Sequence, residues 1–274
     1  MQTPKSILLH LDGSARTPER IKLARRLADA FDAQVTGMPC TLSSLMRYPF
    51  ALEGAAEAIA IMRESDKAAR DRMAASFMTH AAGSHRMHWS EPESDAPWGF
   101  ARRAMYADLV IVGQRDLEDP MASELPGGFL PSVLVESGRP ALVLPYAGPL
   151  EPMGNTVLLA WKETPEAARA VSAALPWLRK ASRVHAVCYG DEAGASLKKL
   201  QHYLAAQGVA DVSLHDGGAD EGDAGDKLLS TAADVGADLL VMGCYGHSRA
   251  REWILGGVTQ TILASMTLPV LMSH

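Results

Sequence analysis

Apolar residues fall along this chain in two alternating registers. Nearly unbroken apolar runs occur at KSILLHL (5–11), QVTGMP (34–39), ADLVIVG (107–113) and RPALVLP (139–145). They recur at NTVLLAW (155–161), RVHAVCY (183–189), ADLLVMG (237–243) and TLPVLMS (267–273). Such runs predict strands buried on both faces. Between them the period changes to that of a helix. Ile21, Ala24, Leu27 and Phe31 form one stripe, and Ala167, Val171, Ala174 and Leu178 form another. Each of these helices opens on Thr-Pro-Glu, at 17–19 and 164–166, which predicts Thr as N-cap with Pro in the first turn. Pro176 predicts a kink or an early stop in the second of them. SLKKLQHYLAAQ reads as a helix ended by Gly208. Its counterpart in the first half is much longer, from about Ala51 to Ala82. RMHWSE and DVSLHD predict third strands, and WGFARRAM and DKLLSTAAD third helices. Strand and helix alternating at this spacing predict an α/β fold with an open, mostly parallel sheet flanked by helices. The expectation is five strands and four helices per half.

The second half repeats the first. ADLVIVG matches ADLLVMG, and KSILLHL matches NTVLLAW. Thr17-Pro18-Glu19 matches Thr164-Pro165-Glu166. A Gly-Gly pair follows each ADL strand, its first member (Gly127 or Gly256) lying thirteen residues before Pro140 or Pro269. Landmarks recurring in one order predict two copies of one domain. YAGPLEPMGN (146–155) has the Pro and Gly content of a linker, so domains are expected at 1–147 and 154–274.

Composition narrows the function classes. The chain has 274 residues, 47% hydrophobic and 21% charged, with a net charge of -6. An acidic balance argues against nucleic acid or an anionic membrane as a bulk electrostatic partner. Cys40, Cys188 and Cys244 are few and far apart, so no disulfide framework is expected. The opening MQTPKSILLHLDGS has too short an apolar run for a signal peptide, and no run approaches a membrane span. A reducing, cytoplasmic setting is the expectation.

In open parallel sheets, ligands bind beyond the carboxyl ends of the strands. Gly243 and Gly246 follow one predicted strand directly, and Gly256-Gly257 precedes the predicted helix VTQTILASM. Glycines at a strand end let backbone amides approach a ligand. A helix start with bare amides favours an anion. The pattern predicts a phosphate cradle made of backbone.

Gly243-x2-Gly246-x9-Gly256-Gly257 resembles the nucleotide-binding signature of the universal stress protein family, G-x2-G-x9-G-[ST]. The flanking ADLLVMG and TLPVLM resemble that family's fourth and fifth strands. The resemblance implies a tandem protein with two Rossmann-like, adenine nucleotide alpha hydrolase-like domains packed as an intramolecular pseudo-dimer, their fifth strands pairing. It implies ATP as the ligand, with Mg2+ as its companion ion. In the second half it assigns the nucleotide to Gly243, Gly246, His247, Gly256, Gly257, Val258 and Thr259, with Ala160, Lys162 and Val187 at the strand ends. Two of these depart from the family. Gly257 stands at the Ser/Thr position, and Lys162 stands where the family has an acid. In the first half the resemblance assigns Asp12, Gly113, Gly127 and Gly128, but Asp116 replaces the second glycine. Asp116, Glu118, Asp119 and Glu124 place negative charge where phosphates would sit, so this half is expected to be impaired for ATP.

Rival chemistries are weaker. Gly246-His247-Ser248-Arg249-Ala250 approximates a hydrolase elbow, but it lies several residues past the strand, with only Glu252 and His274 downstream. His185 and Cys188 lie on opposite strand faces, and His80, His85 and His88 lack an accompanying Cys pair, so no metal site is expected. No pair suits water activation, so the protein is expected to be no enzyme, or at most a slow ATPase. The resulting expectation is a stress-response protein that binds an adenine nucleotide mainly through its second half. The alternative is a scaffold or small-ligand module using the long first-half segment 51–82, with its methionines Met62, Met73 and Met78, and the inter-domain groove. A protein partner or further dimerisation fits either reading.

Overall fold

The fold is described from a computed structural model, for residues 3–48, 56–92, 98–119, 125–218, 224–246 and 257–274. The chain forms two compact units, one built from Pro4–Arg139 and one whose main body is Pro140–His274.

The first unit contains β1 (Ser6–Leu11), α1 (Thr17–Phe31), β2 (Gln34–Pro39), α2 (Ser44–Arg47), α3 (Ala56–Ala81), β3 (Met87–Trp89), α4 (Trp98–Ala104), β4 (Leu109–Gly113) and α5 (Phe129–Glu136). Its strands run in the order β3-β2-β1-β4, all parallel, with Ser6 opposite Gln34, Ile7 opposite Leu109 and Val35 opposite Met87. Ile7, Leu9, Leu11, Val110 and Ile111 are buried, as runs without polar alternation require. The predicted stripe of α1 is buried throughout. Its start differs from the expectation. Thr17 is the first helical residue and Arg16 holds the cap position without a side-chain bond. The Thr17 hydroxyl is spent instead on the carbonyl and carboxylate of Asp12. The short α2 is an addition to the four expected helices. Of the long predicted segment, the helix covers Ala56–Ala81, with only Met73, Phe77 and Ala81 buried.

The second unit contains β5 (Ala141–Leu144), β6 (Thr156–Ala160), α6 (Pro165–Leu178), β7 (Arg183–Cys188), α7 (Ala193–Ala206), β8 (Val212–Asp216), α8 (Ala224–Asp234), β9 (Leu239–Gly243), α9 (Val258–Ser265) and β10 (Val270–Ser273). Strand order is β5-β10-β9-β6-β7-β8. β5 runs antiparallel to β10, with Val270 opposite Val143, and the remaining pairs are parallel. These hydrogen bonds make β5 a member of the second unit. Thr164 caps α6 as expected, its hydroxyl accepting from the Ala167 amide at 3.3 Å. Pro176 lies inside the helix, which ends two residues later at Leu178. Gly208 turns the chain after α7 at φ 84°, the left-handed conformation that glycine adopts without strain. Among the described residues, no helix is long and apolar enough to cross a membrane.

Candidate functional site

The carboxyl ends of β6, β7 and β9 open into one cavity of about 310 Å3 in the second unit. Its lining includes Ala160, Lys162, Val187, Gly243, Gly246, Gly257, Val258 and Thr259, eight positions selected on sequence grounds. The structure thus gathers residues spread over a hundred positions of sequence. His247 and Gly256, along with Ser248 to Ala250 of the elbow-like motif, lie outside the described residues.

Two helix starts converge on this cavity, and they differ. At α6 the end is satisfied from within by Thr164, and Glu166 lies on the cavity wall. Burial favours the neutral form of Glu166. Its own backbone amide, the Thr164 hydroxyl, Arg169 and His274 outweigh that and hold the carboxyl below its ordinary range. Arg169 pairs with it at 3.1 Å. At α9, Gly257 is the cap and supplies no side-chain bond. The Gln260 amide turns back to the Gly257 carbonyl at 2.8 Å, and the cap residue has no side chain to take the amides before it, the electrostatic condition for an anion.

The two glycines beside β9 have different physical reasons. A Cβ on Gly243 would stand 2.6 Å from the Ala167 amide nitrogen and 2.8 Å from the Glu166 carbonyl carbon. Gly243 is therefore required by the close approach of α6, whatever binds there. Among the described residues, a Cβ on Gly246 would meet only the Glu166 carboxylate, its oxygen at 3.1 Å and its carbon at 3.7 Å. Gly246 is exposed and serves to keep the cavity mouth open. Between them the chain bends at Tyr245, whose φ is 54°. The Tyr245 amide donates to the Thr259 hydroxyl at 3.3 Å, so Thr259 ties this bend to α9.

Aromatic walls escaped the sequence reading. Trp161 lines the cavity, and its indole N–H donates to the Ser196 hydroxyl at 2.9 Å. Tyr189 lines it from the end of β7, its ring packed over Gly217 where no Cβ intrudes. Both follow a strand directly, and that position was the available signal. In sequence, Glu166 stands out only as part of a helix start. Outside the cavity, His185 and His215 on neighbouring strands meet at 3.0 Å, Nδ1 to Nε2. No group of three or more metal-ligating side chains occurs among the described residues.

The corresponding region of the first unit is filled. Asp12 is buried and forms an ion pair with Arg20 of α1. Its Oδ1 also accepts from Ser14 and Thr17, at 2.6 Å each. Burial pushes the Asp12 carboxyl up, but Arg20, His10 and the two hydroxyls prevail and hold it far below the usual carboxylate range. The Arg20 guanidinium lies against Gly113, in the space a Cβ would need. Asp12 and Gly113, both assigned to the nucleotide by resemblance, thus face each other across an internal cation. His10 packs on Phe129 at 4.8 Å and on Phe100 at 5.3 Å between ring centroids. Burial lowers His10 to about 4, and its Nε2–H donates to the Cys40 carbonyl at 3.0 Å. By the repeat alignment, His10, Arg20 and Phe129 stand where the second unit has Ala160, Ala167 and Val258. Three large side chains replace three small ones. Gly127 and Gly128 are exposed at the start of α5. Of the acidic loop, Asp116 accepts the Glu118 amide at 2.9 Å, and Glu124 lies outside the described residues.

Residues 153–274 match the family model described as the universal stress protein family. No curated protein matches the chain in sequence. Among solved structures, the chain is similar to a universal stress protein from Archaeoglobus fulgidus DSM 4304. The TM-score is 0.73 and the identity 16%, over 99% of this chain and 96% of that one. It is also similar to a protein of unknown function from Pseudomonas aeruginosa PAO1, with TM-score 0.60 and 14% identity over 99% and 93% of the two chains. At these identities the likeness establishes fold. Residues 153–274 of this chain belong to the universal stress protein family, and the whole chain shares the fold of that family's Archaeoglobus structure.

Proposed function

We propose that this protein binds ATP or a related adenine nucleotide, one per chain, in the strand-end cavity of its second unit, as part of a stress response and without a robust catalytic role. The observation that carries this reading is the meeting of eight sequence-selected residues around one 310 Å3 cavity that an uncapped helix start faces. Small-molecule sites hold about 300–1,000 Å3, so this volume suits a nucleoside, with its phosphates directed to the glycine loop. Trp161 and Tyr189 offer aromatic faces for the base, and the Val187 backbone borders the same region. The α9 amides receive the phosphates. Lys162, exposed at the cavity rim, supplies a cation in place of the family's acid. Mg2+ accompanies the triphosphate as its counter-ion. Glu166 is the one carboxylate on the wall among the described residues, and its charge limits affinity. The first unit takes no nucleotide on this reading, since Arg20, His10 and Phe129 occupy the space.

A thermal-shift titration with MgATP tests the assignment, on wild type and on Gly246→Asp. The new carboxylate falls beside Glu166 at an exposed backbone position, so the fold persists while the phosphate region gains repulsion. Stabilisation by ATP in wild type and its loss in the variant are expected. Equal stabilisation of both proteins would sink the assignment.

A further inference from the structure

The repeat places an ion pair at the start of α1 and again at the start of α6. Glu19 and Lys22 meet at 3.0 Å in the first unit, Glu166 and Arg169 at 3.1 Å in the second. Each acid is the Glu of Thr-Pro-Glu, and each base lies three residues on. The helix dipole favours an acid in that first turn. The surroundings differ. The side chains of Glu19 and Lys22 are 45% and 47% exposed, as in an ordinary surface pair. The Glu166 side chain is 14% exposed and belongs to the wall of the strand-end cavity. We propose that Arg169 is a positioning residue for ligand phosphates: it fixes the Glu166 carboxylate on the wall, offsets its charge, and so sets the affinity for anionic ligands. This rests on the nucleotide reading of the same cavity.

The two oxygens of Glu166 have separate neighbours. Oε1 accepts from Nη2 of Arg169 at 3.1 Å. Oε2 lies 3.1 Å from where a Cβ on Gly246 would stand. Arg169 thus holds one oxygen while the other borders the glycine loop. Arg169 does not line the cavity, so it acts on a ligand through Glu166. A second bond fixes the guanidinium. Its Nε donates to the His274 carbonyl at 2.7 Å, and Nδ1–H of His274 donates to the Cys244 carbonyl at 3.2 Å. The carboxylate is thereby tied to the residue after β10 and to the residue after Gly243. A lysine, as at Lys22, supplies a point charge; a planar guanidinium spans both acceptors at fixed geometry. A carboxylate beside the glycine loop repels phosphate, and the adjoining cation offsets part of that field.

The test is calorimetric titration of the full chain with MgATP and with adenosine, which has no phosphates. Arg169→Met is expected to weaken MgATP about fivefold and to leave adenosine unchanged. Arg169→Lys keeps the charge without the planar span and is expected to lie between. In a Glu166→Gln background, Arg169→Met is expected to change MgATP by less than about twofold, because no carboxylate remains to be held. An equal loss of MgATP in both backgrounds would put Arg169 on the phosphates directly and overturn the proposal. Joint loss of MgATP and adenosine would show a packing role and overturn it too. An unchanged MgATP affinity in Arg169→Met would overturn it while leaving the nucleotide reading intact. Failure of wild type to bind either ligand would overturn both.

Discussion

Replacing Arg20 by methionine removes the cation that neutralises a buried carboxylate while keeping the apolar stem. The side chains of Arg20 and Asp12 are 3% and 11% exposed, so water cannot take over the lost interaction. Asp12 would retain the hydroxyls of Ser14 and Thr17 and the Ser14 amide. None of these carries charge. Breaking a buried pair from one side costs about 3–5 kcal/mol, because the surviving charge is left uncompensated. With a urea dependence of about 2 kcal/mol per molar, the midpoint of the unit carrying Arg20 should fall by about 2 M. Asp12→Asn should cost a comparable amount, and the double variant clearly less than the sum, with a coupling of about 2–3 kcal/mol. The pH dependence has a definite sign. In wild type the Asp12 carboxyl lies below its unfolded value, so its stabilisation is present above about pH 4 and is lost as pH falls further. In Arg20→Met, burial prevails and pushes the carboxyl up. The folded variant then binds more protons than its unfolded form, and its deficit shrinks on acidification towards pH 4. Urea melts of the four proteins at pH 7 and pH 4.5 measure both effects. A midpoint within about 0.3 M of wild type, or a deficit that grows towards acid, would refute the reasoning.

Other substitutions separate packing from binding in the second unit. Gly243→Ala forces a methyl group against the backbone at the start of α6 and should cost about 1–3 kcal/mol in urea melts with no nucleotide present. Gly246→Asp, which among the described residues meets only the end of the Glu166 side chain, should leave the same melts nearly unchanged. Glu166→Gln removes the wall carboxylate and should tighten ATP by about tenfold in calorimetry, or roughly 1.4 kcal/mol. Unchanged or weaker binding would show that Glu166 does not face the phosphates.

The strands were legible in sequence because strands buried on both faces admit little but apolar residues. The first-unit runs at 6–11 and 34–39 and the second-unit run at 183–188 are strands as read. The helix starts were less so. Thr17 and Thr164 sit in the same tripeptide, yet only Thr164 caps its helix. The loop before Thr17 is three residues longer and returns it to Asp12, a tertiary contact that local pattern does not encode. The candidate cavity was legible in its glycines and strand ends. It was not legible in Trp161 and Tyr189, which are ordinary apolar positions until the strands are placed side by side. For the first half, the acidic loop pointed to impaired nucleotide binding. The structure shows that region filled by His10, Arg20 and Phe129, a feature on which the proposal for the first unit rests. Arg20 gave no signal in sequence, since a lone arginine one turn into a helix reads as solvent-facing.

Calorimetric titration of the full chain with MgATP tests the central claim most directly, because it reads affinity and stoichiometry together. One ATP per chain in wild type, with binding abolished by Gly246→Asp and retained in Asp12→Asn, is the predicted result. Two ATP per chain, none, or binding lost in Asp12→Asn while Gly246→Asp keeps it, would contradict the account.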